Sequence, residues 1–263
     1  MKVAIITGGS SGIGLACCQK FLGNGFKVYE CSRREKTNEN KIIHLQADVT
    51  NEDSIRAAFS RVFEEEGRID VLVNNAGFGI AGSIEYTDLN DAKRQFDVNF
   101  FGTVVCIQQV LPFMRKQGYG MIVNISSMAA PLAIPFQAFY SASKAAINSL
   151  TLSLANEVRP FGISVRAVMP GDVKTGFTAA REKTSAQSTP YDSVLAKSLA
   201  VMEHDEQNGM PPQAIAEAVF KAATKKNRKP LSTKGVQYHL FAGLSKVLPT
   251  SLVNRIVGMI YAK

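Results

Sequence analysis

The chain reads as an α/β fold: a single doubly wound domain whose parallel sheet carries helices on both faces. Three observations predict it. Apolar runs of strand length alternate with helix-period segments from residue 3 to residue 170. Those runs are apolar at both parities, as strands covered on both faces should be. A turn of small residues, "TGGSSGIG" (7–14), joins the first strand pattern to the first helix pattern. Alternation of this kind requires right-handed crossovers, so it specifies the layers as well as the elements.

Taken in order, "VAIIT" (3–7) is the first strand, and the helix after it runs over about 12–23 and stops at "GNG". "KVYEC" (27–31) and "IIHLQA" (42–47) are strands. Residues 51–66 are helical, with Asn51 or Thr50 as the N-cap. "DVLVNNAG" (70–77) is a strand entering a turn, and helical periodicity covers about 89–117. "GMIVNISS" (120–127) is a strand, 138–158 a helix and "SVRAVMP" (164–170) a strand. Residues 176–212 are polar and irregular, which predicts a mobile substrate loop or a plain surface excursion. The tail, 235–263, holds two helical patterns split by Pro249. No repeat or linker divides the chain, so 1–263 is expected to be one domain.

Composition excludes several classes. Of 263 residues, 46% are hydrophobic and 20% charged, the balance of a soluble globular protein. "MKVAIITGG" holds too short an apolar run for a secretory leader, and no apolar stretch reaches the ~18 residues of a membrane span. A cytoplasmic location is therefore expected. Cys17, Cys18, Cys31 and Cys106 have no metal-ligand spacing and only three histidines are present, so no metal site is expected. The net charge of +8 suits anionic small molecules or an acidic membrane surface. The densest basic run, "KKNRK" (225–229), has no interleaved aromatic residues and reads as a solvated helix end; no nucleic acid partner is expected.

The glycine turn allows close backbone approach to a pyrophosphate, which rests on the helix N-terminus; Gly8, Gly12 and Gly14 carry the pattern. The end of the second strand reports on the adenosine ribose. There the chain reads "ECSRRE", and Arg33 and Arg34 suit a 2′-phosphate, which predicts NADP(H). Glu30 is the competing ribose ligand, expected to lie within the strand and short of the sugar. Further on, "FYSASK" sets Tyr140 and Lys144 four apart, one turn along one helix face. Alone, that spacing fits an acid/base pair or two surface neighbours.

"TGGSSGIG", "NNAG" (74–77), "NISS" (124–127), "YSASK" (140–144) and "PGDVKT" (170–175) together resemble the short-chain dehydrogenases/reductases, in the order that family carries them, over about residues 3–175. The resemblance implies a Rossmann fold and a catalytic set of Asn99, Ser127, Tyr140 and Lys144. Ser127 rather than Ser126 is selected because the family's serine precedes its tyrosine by thirteen residues. It implies cofactor contacts along the turn, from Gly8, Ser10, Ser11, Gly12, Ile13 and Gly14. Asp48 and Val49 match the residues beside the adenine, and Asn75, Ala76 and Gly77 the turn beneath the cofactor. Pro170, Gly171, Val173 and Thr175 match the nicotinamide end, and Tyr140 and Lys144 are expected to contact the cofactor too, the lysine through the ribose hydroxyls. Ser32 falls at the family's acidic ribose position with Arg33 next, the NADP(H)-preferring pattern. The tail lacks the "VDGG"-like strand of tetrameric members. With "NNAGFGIAGSIEY" and "FDVNFFGTV" it is similar instead to the 17β-hydroxysteroid dehydrogenase-like branch, and also to retinol and acyl-dihydroxyacetone-phosphate reductases.

The implied chemistry moves a hydride and a proton. A free phenol, with pKa near ~10, is a poor acid/base at neutral pH, and Lys144 is expected to lower the pKa of Tyr140. Ser127 is expected to donate to the substrate oxygen, and Asn99 to hold a water near Lys144. The loop "MAAPLAIPFQAF" (128–139) has one polar side chain, Gln137, which points to a hydrophobic substrate. Leu132, Ile134 and Phe136 read as pocket wall or as core contacts, and Phe78, Ile80, Met169 and Phe177 as further wall. In the tail, Leu252, Val253, Ile256, Val257 and Ile260 share one helix face, flanked by Lys246, Arg255 and Lys263. That face is expected to pack on the domain or on a second subunit of a homodimer, to lie on a membrane surface, or to cover a lipid-like substrate. The expected activity is hydride transfer between NADP(H) and a hydrophobic ketone or secondary alcohol, steroid- or retinoid-like. The rivals are a lipid ketone reductase and a non-catalytic NADPH sensor.

Overall fold

The structure, a computed structural model, describes residues 1–34, 41–184, 189–226 and 229–262. Asn227 and Arg228 of the basic run, residues 185–188 of the expected loop, Lys263, and the side chain of Lys246 lie outside the described residues.

β1 (Lys2–Thr7), β2 (Phe26–Ser32), β3 (Ile42–Gln46) and β4 (Val71–Asn74) form one half of a parallel sheet. After the short β5 (Ile80–Ala81), the other half comes from β6 (Gly120–Ile125), β7 (Ile163–Met169) and, past β8 (Glu182–Lys183), β9 (Leu231–Thr233). The order is β3-β2-β1-β4-β6-β7-β9, so the winding reverses between β1 and β4, which pair in register Ala4↔Val71. A crevice opens at such a switch point, beyond the carboxyl ends of the strands.

Helices cover both faces. On one lie α1 (Gly12–Leu22) and α8 (Pro212–Thr224), whose Cys17, Cys18, Phe21, Ile215 and Val219 are buried against alternate residues of β1, β2 and β4. On the other lie α2 (Glu52–Glu66), α4 (Gly102–Gln117) and α5 (Ala138–Glu157), through Phe59, Cys106, Met114 and Leu154. Each such fully buried large side chain contributes roughly 1.5–3 kcal/mol. α2 starts where Asn51 accepts from Ser54 N at 3.0 Å and stops at Gly67, φ +67°. Between α3 (Leu89–Phe96) and α4 the helix widens into a π turn over Asp97–Phe101, which re-aims Asn99.

Two expectations are corrected and one is met. The stretch 176–212 is mostly regular: α6 (Phe177–Ala180), β8, and the 16-residue α7 (Asp192–Gln207), which buries Leu199 and Met202. A seventh strand, β9, takes the edge beside β7 although no "VDGG" motif announces it. The tail forms α9 (Val236–Val247) and α10 (Thr250–Tyr261), broken at Pro249 as predicted.

Candidate active site

Strand ends β1 and β4 are tied together before any ligand is considered. Thr7 Oγ1 accepts from the backbone N–H groups of Asn75 and Ala76 at 3.0 and 3.1 Å, and Asn75 Nδ2 donates to the carbonyls of Thr7 and Gly8 at 3.1 Å each. Gly8 (φ +64°) and Gly12 (φ +53°) take left-handed backbone that other residues disfavour. The resulting cradle forms one end of a continuous cavity of about 1340 Å³. Gly8, Ser10, Ser11, Gly12 and Ile13 line it, as do Arg33, Asp48, Val49, Asn75, Ala76 and Gly77. Pro170, Gly171, Val173 and Thr175 line its far side. Gly14 does not face it: a Cβ there would lie 2.1 Å from the Gly8 carbonyl oxygen, so its smallness lets the helix pack on the loop.

Glu30 is turned away from the cavity. Its carboxylate is buried under Gly9, where it meets His44 Nδ1 at 2.5 Å and accepts from Ser32 Oγ at 3.2 Å. Arg33 and Arg34 are exposed at the cavity rim, with no acidic partner among the described residues. A nicotinamide dinucleotide fits this cradle, since backbone and glycine make the floor and Arg33 and Arg34 bring cationic charge to the ribose end.

Tyr140, Lys144 and Ser127 come together at the cavity's centre. α5 carries the first two on one face, with Lys144 Nζ 5.7 Å from the centre of the phenol ring. Lys144 is buried, and its ammonium donates to the Ile125 carbonyl at 2.9 Å. Burial draws its pKa down to about 8. Burial likewise pushes the Tyr140 phenol up to about 12, while its hydrogen bond with Ser127 pulls the other way. Desolvation therefore outweighs the stabilisation that charged neighbours give the phenolate, and in the protein alone the net displacement of the phenol is upward. Ser126, the rival serine, is buried and donates to the Lys144 carbonyl at 3.1 Å.

Asn99 lies beneath the cavity rather than on its wall. Its Oδ1 accepts from Phe78 N at 3.0 Å, and its Nδ2 donates to Phe78 O at 3.0 Å and to Ser143 Oγ at 3.3 Å. Both amide hydrogens are thus committed to protein, so a water near Lys144 would be held through an Asn99 oxygen. Asn99 instead braces the turn at Gly77, where a Cβ would fall 3.0 Å from Asn99 Oδ1 and 3.6 Å from Lys144 Nζ.

Of the expected walls, Leu132, Ile134, Phe78 and Phe177 line the cavity, and the Phe177 ring lies 5.8 Å from that of Tyr140. Ile80 and Met169 belong to buried packing, and Phe136, at φ +61°, sets its ring toward Tyr191 instead. The tail supplies walls that sequence left open: Phe241, Leu244, Leu248, Val253, Ile256 and Val257 face the same cavity. Tyr238 anchors this roof. Its ring lies where a Gly171 Cβ would be, and its hydroxyl donates to Asp172 Oδ2 at 2.6 Å while accepting from Asp172 N at 2.9 Å. Nothing in the local sequence marked Tyr238, Asp205 or Met202 as cavity residues. Their periodicity says only that they lie on helices.

The family model described as short chain dehydrogenase matches residues 2–186. The chain belongs to the short-chain dehydrogenase family. It is accordingly an oxidoreductase acting on CH–OH or C=O groups with a nicotinamide cofactor. It is similar to a 3-ketodihydrosphingosine reductase of Bacteroides thetaiotaomicron, with 40% identity over 265 residues covering 99% of this chain and 98% of that one. Among solved structures, it resembles a short-chain dehydrogenase/reductase from Burkholderia phymatum in complex with NAD, at TM-score 0.81 and 26% identity, covering 93% and 92% of the two chains. ElxO with NADP bound superposes at TM-score 0.76 and 28% identity, covering 91% of this short-chain dehydrogenase and 99% of ElxO.

Proposed function

We propose that this short-chain dehydrogenase is an NADP(H)-dependent reductase of a long-chain lipid ketone of the 3-ketodihydrosphingosine type, rather than of a steroid. The observation that carries the reading is the roof: α9 and α10 add an apolar wall to the very cavity that holds Tyr140, which suits a flexible alkyl chain. The full-length similarity to a reductase of that name supports it. Arg33 and Arg34 at the ribose end, with Glu30 withdrawn, support NADPH over NADH.

NADPH, when bound, supplies the hydride. Tyr140 supplies the proton: its O–H bond breaks as the carbonyl oxygen takes up hydrogen, and the phenolate charge forms one turn from the Lys144 ammonium. Lys144, with its pKa near 8, is mostly charged at neutral pH and steadies that phenolate as it appears. Ser127, already bonded to the phenol, offers its hydroxyl to the same oxygen. Asn99 is a positioning residue that fixes the Phe78 backbone and hence the cavity floor.

A long-chain ketone comes from a lipid surface, and the outer side of the roof suits one. Leu240, Val247, Leu252 and Met259 are exposed on α9 and α10, as is Arg255, on a chain of net charge +8. The deciding experiment measures NADPH oxidation with 3-ketodihydrosphingosine, an acyl-dihydroxyacetone phosphate and a steroid ketone. The lipid ketone should give the highest kcat/KM; turnover of the steroid alone would overturn the proposal.

A further inference from the structure

One end of the catalytic cavity is acidic while most of its wall is apolar. Asp172, in the loop after β7, and Asp205 and Glu206, in the last turn of α7, line it together. Glu206 is compensated: Arg181 pairs with it, and Thr178 Oγ1 donates to it at 2.6 Å. Asp172 has the Tyr238 hydroxyl but no cation within salt-bridge distance among the described residues. Asp205 has neither a hydrogen bond nor an ion pair among them. Burial and the neighbouring Asp172 charge push the Asp205 carboxyl up, against a smaller opposing pull from His204. Two carboxylates facing one partly desolvated space repel, and a cation placed between them relieves both.

A second observation, independent of the charges, points to the same place. Gln137, the one polar side chain of the loop before Tyr140, is only 7% exposed and lines the cavity. Its Nε2 has just the Met202 thioether, 2.7 Å away, and its amide oxygen has no partner among the described residues. A thioether is a weak acceptor, and the amide oxygen, on a side chain that lines the cavity, is open to a donor from a bound molecule. Met202 precedes Asp205 by three residues on α7, so the two share a helix face. Gln137 is the N-cap residue of α5, the helix that carries Tyr140, and both side chains line the one cavity.

We infer that Asp172, Asp205 and Gln137 form a head-group subsite for a protonated amine on the carbon next to the reacting ketone. The ammonium meets the two carboxylates, and the hydroxyl beyond it donates to the Gln137 amide oxygen. The inference rests on the lipid-ketone reading above and narrows it, since the same carboxylates repel a phosphate-bearing acyl ketone.

The test is calorimetric titration of the full chain, saturated with NADP⁺, with dihydrosphingosine and with its N-acetyl derivative in neutral detergent micelles. The two ligands share chain and hydroxyls and differ in charge. The charged lipid should bind about tenfold tighter or more, and Asp205→Asn should bring the ratio of affinities close to one. Gln137→Leu should weaken both ligands severalfold, since each carries the hydroxyl. Asp205→Ser provides a second carboxylate deletion should the amide variant fold poorly. Equal wild-type affinities, or a ratio that survives both Asp205 substitutions, would overturn the subsite. Failure of the function reading would look different: selective binding of the charged lipid with no NADPH oxidation on any lipid ketone would sink the reductase and leave the subsite standing.

Discussion

Lys144 and Tyr140 stand one turn apart on α5, yet the lysine ammonium donates to the Ile125 carbonyl at 2.9 Å and lies 5.7 Å from the centre of the phenol ring. The pair is therefore a held charge beside a half-buried acid, and the protein alone keeps that acid protonated. Tyr140→Phe should lower kcat by about 10²- to 10⁴-fold. Dinucleotide affinity should change little, because the cradle at Gly8 and Gly12 is untouched. Stopped-flow single turnovers and cofactor fluorescence titration measure the two separately; equal losses in both would mean that the ring serves binding.

The pH dependence should differ between directions. Burial raises the phenol to about 12, so Tyr140 stays loaded as a proton donor throughout the neutral range. Ketone reduction should then be nearly flat from about pH 6 to 7 and decline toward pH 8 and above, as Lys144, drawn down to about 8, loses the charge that steadies the phenolate. Alcohol oxidation needs the phenolate and should climb with pH over the same span. Initial rates in both directions on one lipid pair test this, and a reduction rate that halves by neutral pH would contradict it.

Arg33 faces the cavity rim without an acidic partner among the described residues, whereas Glu30 is engaged with His44 and Ser32. Arg33→Ala should weaken NADPH by about 10- to 100-fold, the value of one charge-assisted hydrogen bond, and NADH by far less. Equilibrium binding of both cofactors decides it. Similar losses for the two would remove the phosphate assignment.

Gly14 packs directly on the glycine turn. A Cβ there would sit 2.1 Å from the Gly8 carbonyl oxygen, a backbone atom that cannot swing aside. Gly14→Ala should destabilise the fold by about 3 kcal/mol or more, a fall in Tm of roughly 6–12 °C. Differential scanning calorimetry measures it, and a wild-type Tm would show that the α1 start shifts freely.

Stability itself should fall at alkaline pH. All four cysteines are buried free thiols, and burial raises each above its ordinary value of 9.0, Cys17 to about 12. Raised folded-state values mean that their contribution is complete below pH 9 and is lost as pH climbs toward the folded values, at up to ~1.4 kcal/mol per thiol per pH unit. Lys144, lowered from 10.5 to about 8, works in the opposite sense between those values, but it is one group against four. Urea titrations at pH 8 and 10 should show the decline, and Cys106→Ala should remove one thiol's share of the slope. No decline would mean that the thiols ionise inside the fold.

Much of this molecule was legible in its linear order. The strand and helix alternation, the glycine turn, the Asn51 cap and the break at Pro249 depend on local sterics and on periods of two and 3.6 residues, which a sequence displays openly. The motifs that resemble the family likewise located Ser127, Tyr140 and Lys144. Folding alone decided how these groups behave. Lys144 is claimed by Ile125 on β6, Asn99 by Phe78, and Glu30 by His44 on β3. None of those partners is a sequence neighbour. The roof was also undecidable in advance: an apolar stripe at helical spacing states that α10 will be covered on one side, not by what. In the folded chain Tyr238 seats α9 on Asp172 and Gly171, and α10 turns Val253, Ile256 and Val257 toward the cavity that holds the reacting phenol. Short-range geometry is written residue by residue, whereas desolvation and charge pairing belong to whichever atoms the closed chain brings together.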